Sequence, residues 1–223
     1  FLYEQEVKIN FEKPLKLYFK GFIDKIMYYV ENDITYVSII DYKTGNADIN
    51  LNNIEFGLSL QLPVYLYLIK HTDIFKNVVV VGFYLQKLLH ESVNAKDSYY
   101  DILKNELKLN GYSLNQQSIL QKFDSTYENS KIIKSIKTTK TGDFQKRSKV
   151  LSVEEMEKIN KIVETKIQDA INMIAKADFK INPKIQNNKN LSCTYCEFED
   201  CCFKKASDYV YLAKKQFGGE NDE

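Results

Sequence analysis

The sequence predicts an α/β fold, a mixed β-sheet flanked by helices, with a small cysteine module at the C-terminal end. Three observations predict it. The stretch up to Gly45 interleaves aromatic and β-branched residues with polar ones, as strands do. Asn77 to Gln86 (NVVVVGFYLQ) is a short, unbroken apolar run, the pattern of a strand buried on both faces at the centre of a sheet. Ser152 to Lys176 repeats apolar residues at helical spacing, and all four cysteines lie between Cys193 and Cys202.

The strands come first. Tyr3 to Phe11, Lys16 to Val30 and Tyr36 to Lys43 are expected as strands, with Pro14 separating the first two and Glu31-Asn32-Asp33-Ile34 turning the second into the third. Asn53 to Lys70 reads as a buried helix on Leu58, Leu62, Tyr65, Leu66 and Ile69, with Pro63 as a kink. Between Ser92 and Lys149 the pattern offers a short helix near Gln116 to Phe123 and a strand at Ile132 to Thr138. Ser152 with Glu155 makes a capping box for the long helix, whose stripe is Ile159, Ile162, Val163, Ile167, Ala170, Ile171 and Ile174. A polar loop, Asn182 to Asn190, leads into the cysteines, and a short helix from Ala206 to Gln216 is expected after them.

Composition narrows the function. With 44% hydrophobic and 27% charged residues, the 223-residue chain is globular and long enough for one domain with an appended module. No run approaches the roughly 18 apolar residues that span a membrane, and no secretory signal opens the chain. A cytoplasmic protein is therefore expected. The balance of 31 basic against 30 acidic residues excludes a uniformly basic nucleic-acid binder, though not a local basic groove. Arg147 is the only arginine, a bias that resembles an AT-rich genome more than a functional choice. The chain opens on Phe1 and reads as a fragment of something longer.

The chemistry is concentrated in the hairpin. Asp24 and Asp41 are equidistant from the turn, so they are expected opposite each other with Cβ atoms roughly 5 Å apart. Two carboxylates so placed repel unless a cation lies between them, and hard oxygen donors suit Mg²⁺ or Mn²⁺. Lys43, two residues beyond Asp41, projects from the same face. Two carboxylates and an ammonium around one metal form a hydrolytic centre for phosphodiesters. The alternative is an exposed hairpin with surface ion pairs, against which stand the apolar flanks Phe22-Ile23 and Ser38-Ile39-Ile40.

The segments Gly21-Phe22-Ile23-Asp24, Asp41-Tyr42-Lys43-Thr44-Gly45 and Gln61-Leu62-Pro63-Val64-Tyr65 resemble, in order, the G-x-I-D, D-Y-K-T/S-G and Q-x3-Y motifs of PD-(D/E)XK nucleases of the RecB-like group. The resemblance implies a restriction-endonuclease-like core over residues 1–180 and a cysteine module over 181–223. It implies that Asp24, Asp41 and Lys43 are catalytic, with the metal held by both aspartates and the Tyr42 main-chain carbonyl. Gln61 and Tyr65 match the helix motif that lines the active site and contacts the DNA strand; their bland alternatives are a surface glutamine and a core tyrosine. Many members carry an upstream helix, often with a catalytic histidine, and this chain starts after it. Glu4 and Glu6 are expected at a solvent-facing strand edge, and His71 and His90 as ordinary packing or surface residues.

Cys193 and Cys196 have the spacing that lets two thiolates grip one metal from a tight turn, and Cys202 extends the pattern to C-x2-C-x5-C. Cys201, adjacent to Cys202, points elsewhere. A structural zinc site, a [4Fe–4S] cluster and plain reduced thiols all remain open on spacing alone. The arrangement resembles iron–sulfur nucleases, among them AddB-type subunits of helicase–nuclease complexes and a CRISPR-associated exonuclease family. The long insert between the motif regions favours the AddB type. That likeness implies Cys193, Cys196 and Cys202 as three cluster ligands, a fourth cysteine upstream, a helicase partner and single-stranded DNA as substrate.

Lys131, Lys134, Lys137, Lys140, Lys146, Arg147 and Lys149 face only Asp143 in their stretch, which suits either a phosphate track or a solvated lysine loop. The leading expectation is a metal-dependent DNA exonuclease domain acting in end processing. The alternatives are an inactive DNA-binding scaffold of the same fold, against which the intact Asp24, Asp41 and Lys43 argue, and a zinc-ribbon-like DNA-binding protein.

Overall fold

A computed structural model describes residues 2–12, 16–45, 47–88, 99–194, 196–213 and 217; Pro14 and His90 lie outside them. Three antiparallel strands, β1 (Leu2–Phe11), β2 (Leu17–Glu31) and β3 (Ile34–Lys43), open a six-stranded mixed sheet. Asn32 and Asp33 hold φ of 50° and 61°, a left-handed conformation these residues tolerate, and so close the two-residue turn from β2 to β3. The register runs from Glu31↔Ile34 to Lys25↔Ile40, as the turn predicts. β1 pairs antiparallel with β2, from Phe11↔Leu17 to Leu2↔Ile26.

The expected helix from Asn53 is two elements. A 3₁₀ turn, Leu51–Phe56, ends at Gly57 with φ 79°, and Ser59 is also left-handed at φ 54°. The helix α1 (Gln61–His71) starts only after them. Pro63 therefore lies in the first turn, where its missing N–H has no intrahelical partner to lose, and makes no kink.

β4 (Val78–Lys87) lies parallel to β3, and its register steps from Val37↔Val80 to Ser38↔Gly82, leaving Val81 as an extra residue. It has strands on both sides, as its apolar run predicts, because β5 (Asn110–Leu114) follows antiparallel to it. The short β6 (Val150–Leu151) completes the sheet parallel to β5. α2 (Tyr99–Glu106) lies between β4 and β5 in the chain, and α3 (Gln117–Phe123) between β5 and β6. The expected strand at Ile132 to Thr138 does not form. That stretch makes isolated bridges, Leu109↔Ile133 and Asn129↔Lys137, and buries Ile133 and Ile136 as plugs.

The long helix α4 (Val153–Ala175) has its capping box: Ser152 Oγ accepts from the Glu155 N–H, and the Glu155 carboxylate accepts from the Ser152 N–H. Its buried stripe is Met156, Ile159, Asn160, Val163, Ile167 and Ile171; Ile174 stays exposed. α1 and α4 cover one face of the sheet, packing Leu66, Leu68, Ile159 and Val163 against Ile23, Ile26, Ile39 and Phe83. Each such fully buried side chain contributes about 1.5–3 kcal/mol. On the other face a second cluster gathers Ile40, Val81, Tyr84, Leu120 and Ile136.

At the C-terminal end the polar loop proves to be a hairpin. β7 (Lys184–Gln186) and β8 (Lys189–Asn190) turn at Asn187 and Asn188, both left-handed, and β9 (Val210–Tyr211) adds in parallel to β7. The helix expected from Ala206 is thus a single 3₁₀ turn, Ala206–Asp208, followed by a strand. Reciprocal amide bonds between Asn53 and Gln186 (3.2 and 3.0 Å) tie this small sheet to the core.

Candidate active site

The site forms where the ladder between β2 and β3 opens. Ile23 and Ile26 lie three residues apart yet share one core cluster, so the two-residue alternation of β2 slips across Asp24 and Lys25. Glu4, between the pairs Gln5↔Ile23 and Tyr3↔Lys25, sits at φ 46° and marks the same irregularity in β1. Pairing with β3 stops at Lys25↔Ile40, so Asp24 and Asp41 are not cross-strand partners as expected. Instead the Tyr42 N–H, freed from the ladder, donates to Asp24 Oδ2 at 2.8 Å. Within a strand one residue's N–H and C=O point to the same side, so the Tyr42 carbonyl faces the same gap.

Asp41 is 2% exposed, which removes the surface ion-pair alternative. Its Oδ1 accepts from Gln61 Nε2 at 2.8 Å, and its Oδ2 lies 2.6 Å from Lys43 Nζ. Lys43 Nζ also donates to Gln61 Oε1 at 2.6 Å, and Gln61 Nε2 reaches the Tyr65 hydroxyl at 3.3 Å. Gln61 opens α1 and Tyr65 sits one turn later, so both face the end of β3. Gly21 makes room: a Cβ there would stand 3.2 Å from the Tyr65 ring.

Burial pushes the Asp41 carboxyl above its ordinary pKa; the Lys43 ammonium pulls it back, and Asp24 raises it further. A raised carboxylate pKa means the folded chain holds its proton more tightly than the unfolded one. Asp41 therefore destabilises the metal-free fold at neutral pH, and the penalty disappears as pH falls through its raised pKa. Asp41→Asn is expected to raise the metal-free Tm at pH 7 by about 2–4 °C, the shift that roughly 1 kcal/mol gives in a chain of this length. The gain should shrink in acid, which calorimetry at two pH values checks.

The donor set fits a divalent cation. Asp41 Oδ2 is buried with the Lys43 ammonium as its one charged neighbour, at 2.6 Å, and a carboxylate oxygen so placed keeps a lone pair for a cation. Asp24, Asp41 and the Tyr42 carbonyl are hard oxygen donors. Among the described residues no third His, Cys, Asp or Glu joins them, so a cation here would keep several waters, as Mg²⁺ does.

The cysteines behave differently. Cys193 and Cys202 are half-buried and Cys196 and Cys201 exposed, all as free thiols. The Cys196 N–H donates to the Cys193 carbonyl at 3.0 Å, the tight turn that C-x2-C predicts. Among the described residues no three of these thiols stand together as a ready metal site.

The basic residues expected to contact nucleic acid divide. Lys146 and Arg147 line a wide polar cleft of about 890 Å³ with Lys149, Asn53 and Gln186. Lys137 and Lys140 are exposed and lie outside that cleft. Lys87 and Lys108, which no sequence motif singles out, line with Lys134, Asp48 and Glu106 a 160 Å³ hollow beyond the ends of β3 and β4. Lys87 pairs with Lys43 across the parallel ladder, a neighbour relation that no local pattern reveals. Glu4 and Glu6 are exposed, and His71 bonds the Tyr67 carbonyl and stacks on its ring, as expected of bystanders.

A mixed six-stranded sheet flanked by helices, with Asp24, Asp41 and Lys43 gathered at one end of β2 and β3, is consistent with a nuclease core, and comparison with known proteins agrees. The profile of the PD-(D/E)XK nuclease superfamily matches residues 2–203, and the chain belongs to that superfamily. It is 28% identical over 206 residues to a subunit of the ATP-dependent helicase/deoxyribonuclease of Clostridium kluyveri, covering 88% of this chain and 18% of that protein. The same subunit from Clostridium perfringens (30% over 207 residues, 88% of this chain and 18% of that one) and from Caldanaerobacter subterraneus (27% over 222 residues, 94% and 19%) is similarly related. The chain thus spans under a fifth of the length of these relatives.

Proposed function

We propose that the chain is a metal-dependent deoxyribonuclease domain that hydrolyses phosphodiester bonds, working exonucleolytically on single strands fed to it by a helicase during DNA end processing and recombinational repair. The observation that carries this reading is the single hydrogen-bonded unit of Asp41, Lys43 and Gln61, with Asp24 beside it at the opened ladder.

Asp24 and Asp41 would hold Mg²⁺ or Mn²⁺ with the Tyr42 carbonyl. A bound cation supplies a water of lowered pKa and offsets charge on the phosphate. Lys43 Nζ, fixed between Asp41 and Gln61, is aimed to orient the attacking water or to donate to a non-bridging phosphate oxygen as charge grows there. Gln61, tied to both, keeps the ammonium from collapsing into solvent, and Tyr65 braces Gln61. The attacking water loses one proton to solvent as its oxygen bonds phosphorus, one P–O ester bond breaks, and the departing oxygen takes up one proton from solvent.

The relatives' name, helicase/deoxyribonuclease, supports DNA as substrate and a helicase as associate. Cys193, Cys196 and Cys202 have the spacing of [4Fe–4S] ligands, and such a cluster would take a fourth donor besides them. The reading is tested by incubating the chain with end-labelled single-stranded and duplex DNA in Mg²⁺, Mn²⁺ or EDTA. Metal-dependent release of labelled nucleotides, faster on the single strand, is expected; products that also form in EDTA would refute it.

A further inference from the structure

The face of the sheet turned away from α1 and α4 carries the second core cluster over β3 and β4, with Met27 of β2 at its edge; toward β1 the rings of Tyr3, Tyr18 and Phe22 are exposed. There the ladder pairs Glu6↔Phe22, Lys8↔Lys20 and Asn10↔Tyr18. Lys25 pairs with Ile40, a member of that second cluster, so it projects on this face, and Tyr3 stands opposite it. Three aromatic rings are therefore displayed: Tyr3 at 59%, Tyr18 at 59% and Phe22 at 53% exposure.

Each ring has its own lysine. Lys8 Nζ lies 3.8 Å from the Tyr18 centroid, Lys25 Nζ 5.5 Å from that of Tyr3, and Lys20 Nζ 5.9 Å from that of Phe22. An apolar protein surface docked here would trap three ammonium groups in a dry interface, at a cost that ring burial would have to overcome. A chain of alternating bases and phosphates satisfies both kinds of group, bases stacking on rings and phosphates drawing the lysines. Duplex DNA keeps its base faces stacked inside, so the match is to a single strand. Tyr18 and Phe22 lie about 13 Å apart along β2, and Phe22 is two residues from Asp24.

We propose that the outer face of β1–β2 is a stacking platform that holds single-stranded nucleic acid and leads it to the opened ladder at Asp24. The destination rests on the nuclease reading; the binding does not.

The test is fluorescence anisotropy of a labelled oligothymidylate with the full chain in EDTA. Tyr18→Ala with Phe22→Ala is expected to weaken binding about 10-fold or more, while Tyr18→Phe with Phe22→Tyr keeps it. Lys8→Ala with Lys20→Ala is expected to flatten the salt dependence by about 1.4 in slope, roughly 0.7 for each phosphate no longer neutralised. Unchanged affinity in the alanine pair, or no affinity in the parent, overturns the platform. Hydrolysis of bis(p-nitrophenyl) phosphate with Mn²⁺ reads the carboxylate site alone and should survive in the alanine pair. Binding that depends on the rings in a chain that hydrolyses nothing would overturn the nuclease reading and leave the platform standing.

Discussion

Lys43→Ala is expected to slow DNA cleavage by about 10²–10³-fold, the loss seen when one preorganised donor to a developing charge is removed. Its ammonium is held at 2.6 Å from both Asp41 Oδ2 and Gln61 Oε1, so its position is set before substrate arrives. Rotamer freedom is already lost, and no reorganisation is needed as charge develops. Lys43→Arg should not restore the rate, because a planar guanidinium cannot take the place of a compact ammonium between those two oxygens. The fold should persist in both variants, since the Lys43 side chain is 29% exposed and contributes to neither core cluster. A rate unchanged in Lys43→Ala, measured on labelled single-stranded DNA with Mg²⁺, would remove the lysine from the chemistry.

Gly111→Ala is expected to produce the largest loss of stability. Gly111 faces Tyr84 across the antiparallel pair β4–β5, and a Cβ there would stand 2.1 Å from the Phe83 carbonyl oxygen and 2.8 Å from the Tyr84 Cα. Those are backbone atoms of the central strand, so no side-chain rotation relieves the clash. The strands must separate, at a cost of about 3 kcal/mol. For a chain of this size that is a Tm lower by roughly 6–12 °C. Phe83, fully buried, and Tyr84, whose hydroxyl bonds Ser113 Oγ at 2.7 Å, would both be displaced. Cleavage should fall in step with the folded fraction, which thermal melts and activity at two temperatures separate from a chemical defect.

How much of this was legible in the residues depends on how local the physics is. The hairpin register followed from Asn32-Asp33, because two residues that tolerate φ > 0 fix the turn and the turn fixes every pair beyond it. Gln61 and Tyr65, one helical turn apart, were readable as a pair facing one way. The capping box at Ser152 and Glu155 named the start of α4 outright. What failed was non-local. That the ladder opens beside Asp24, so that this carboxylate caps the Tyr42 N–H instead of facing Asp41, depends on the slip shared by β1 and β2. The apolar spacing across Leu58 hid the left-handed Gly57 and Ser59 that divide the helix. β5 and β6 are too short to show a period, and the Ile132 to Thr138 stretch is rich in β-branched residues like a strand yet finds no neighbour to pair with continuously. The hairpin of β7 and β8 turns on two asparagines that read simply as polar loop, and β9 exists only because β7 offers it an edge.

The central claim is that Asp24 and Asp41 together hold a divalent cation at the opened ladder. It is tested most directly by titrating the chain with Mn²⁺ and counting bound ions by electron paramagnetic resonance. Saturable binding that is lost in Asp41→Ala and in Asp24→Ala, yet retained in Lys43→Ala, is the predicted result. Mn²⁺ binding unchanged in Asp41→Ala would contradict the account.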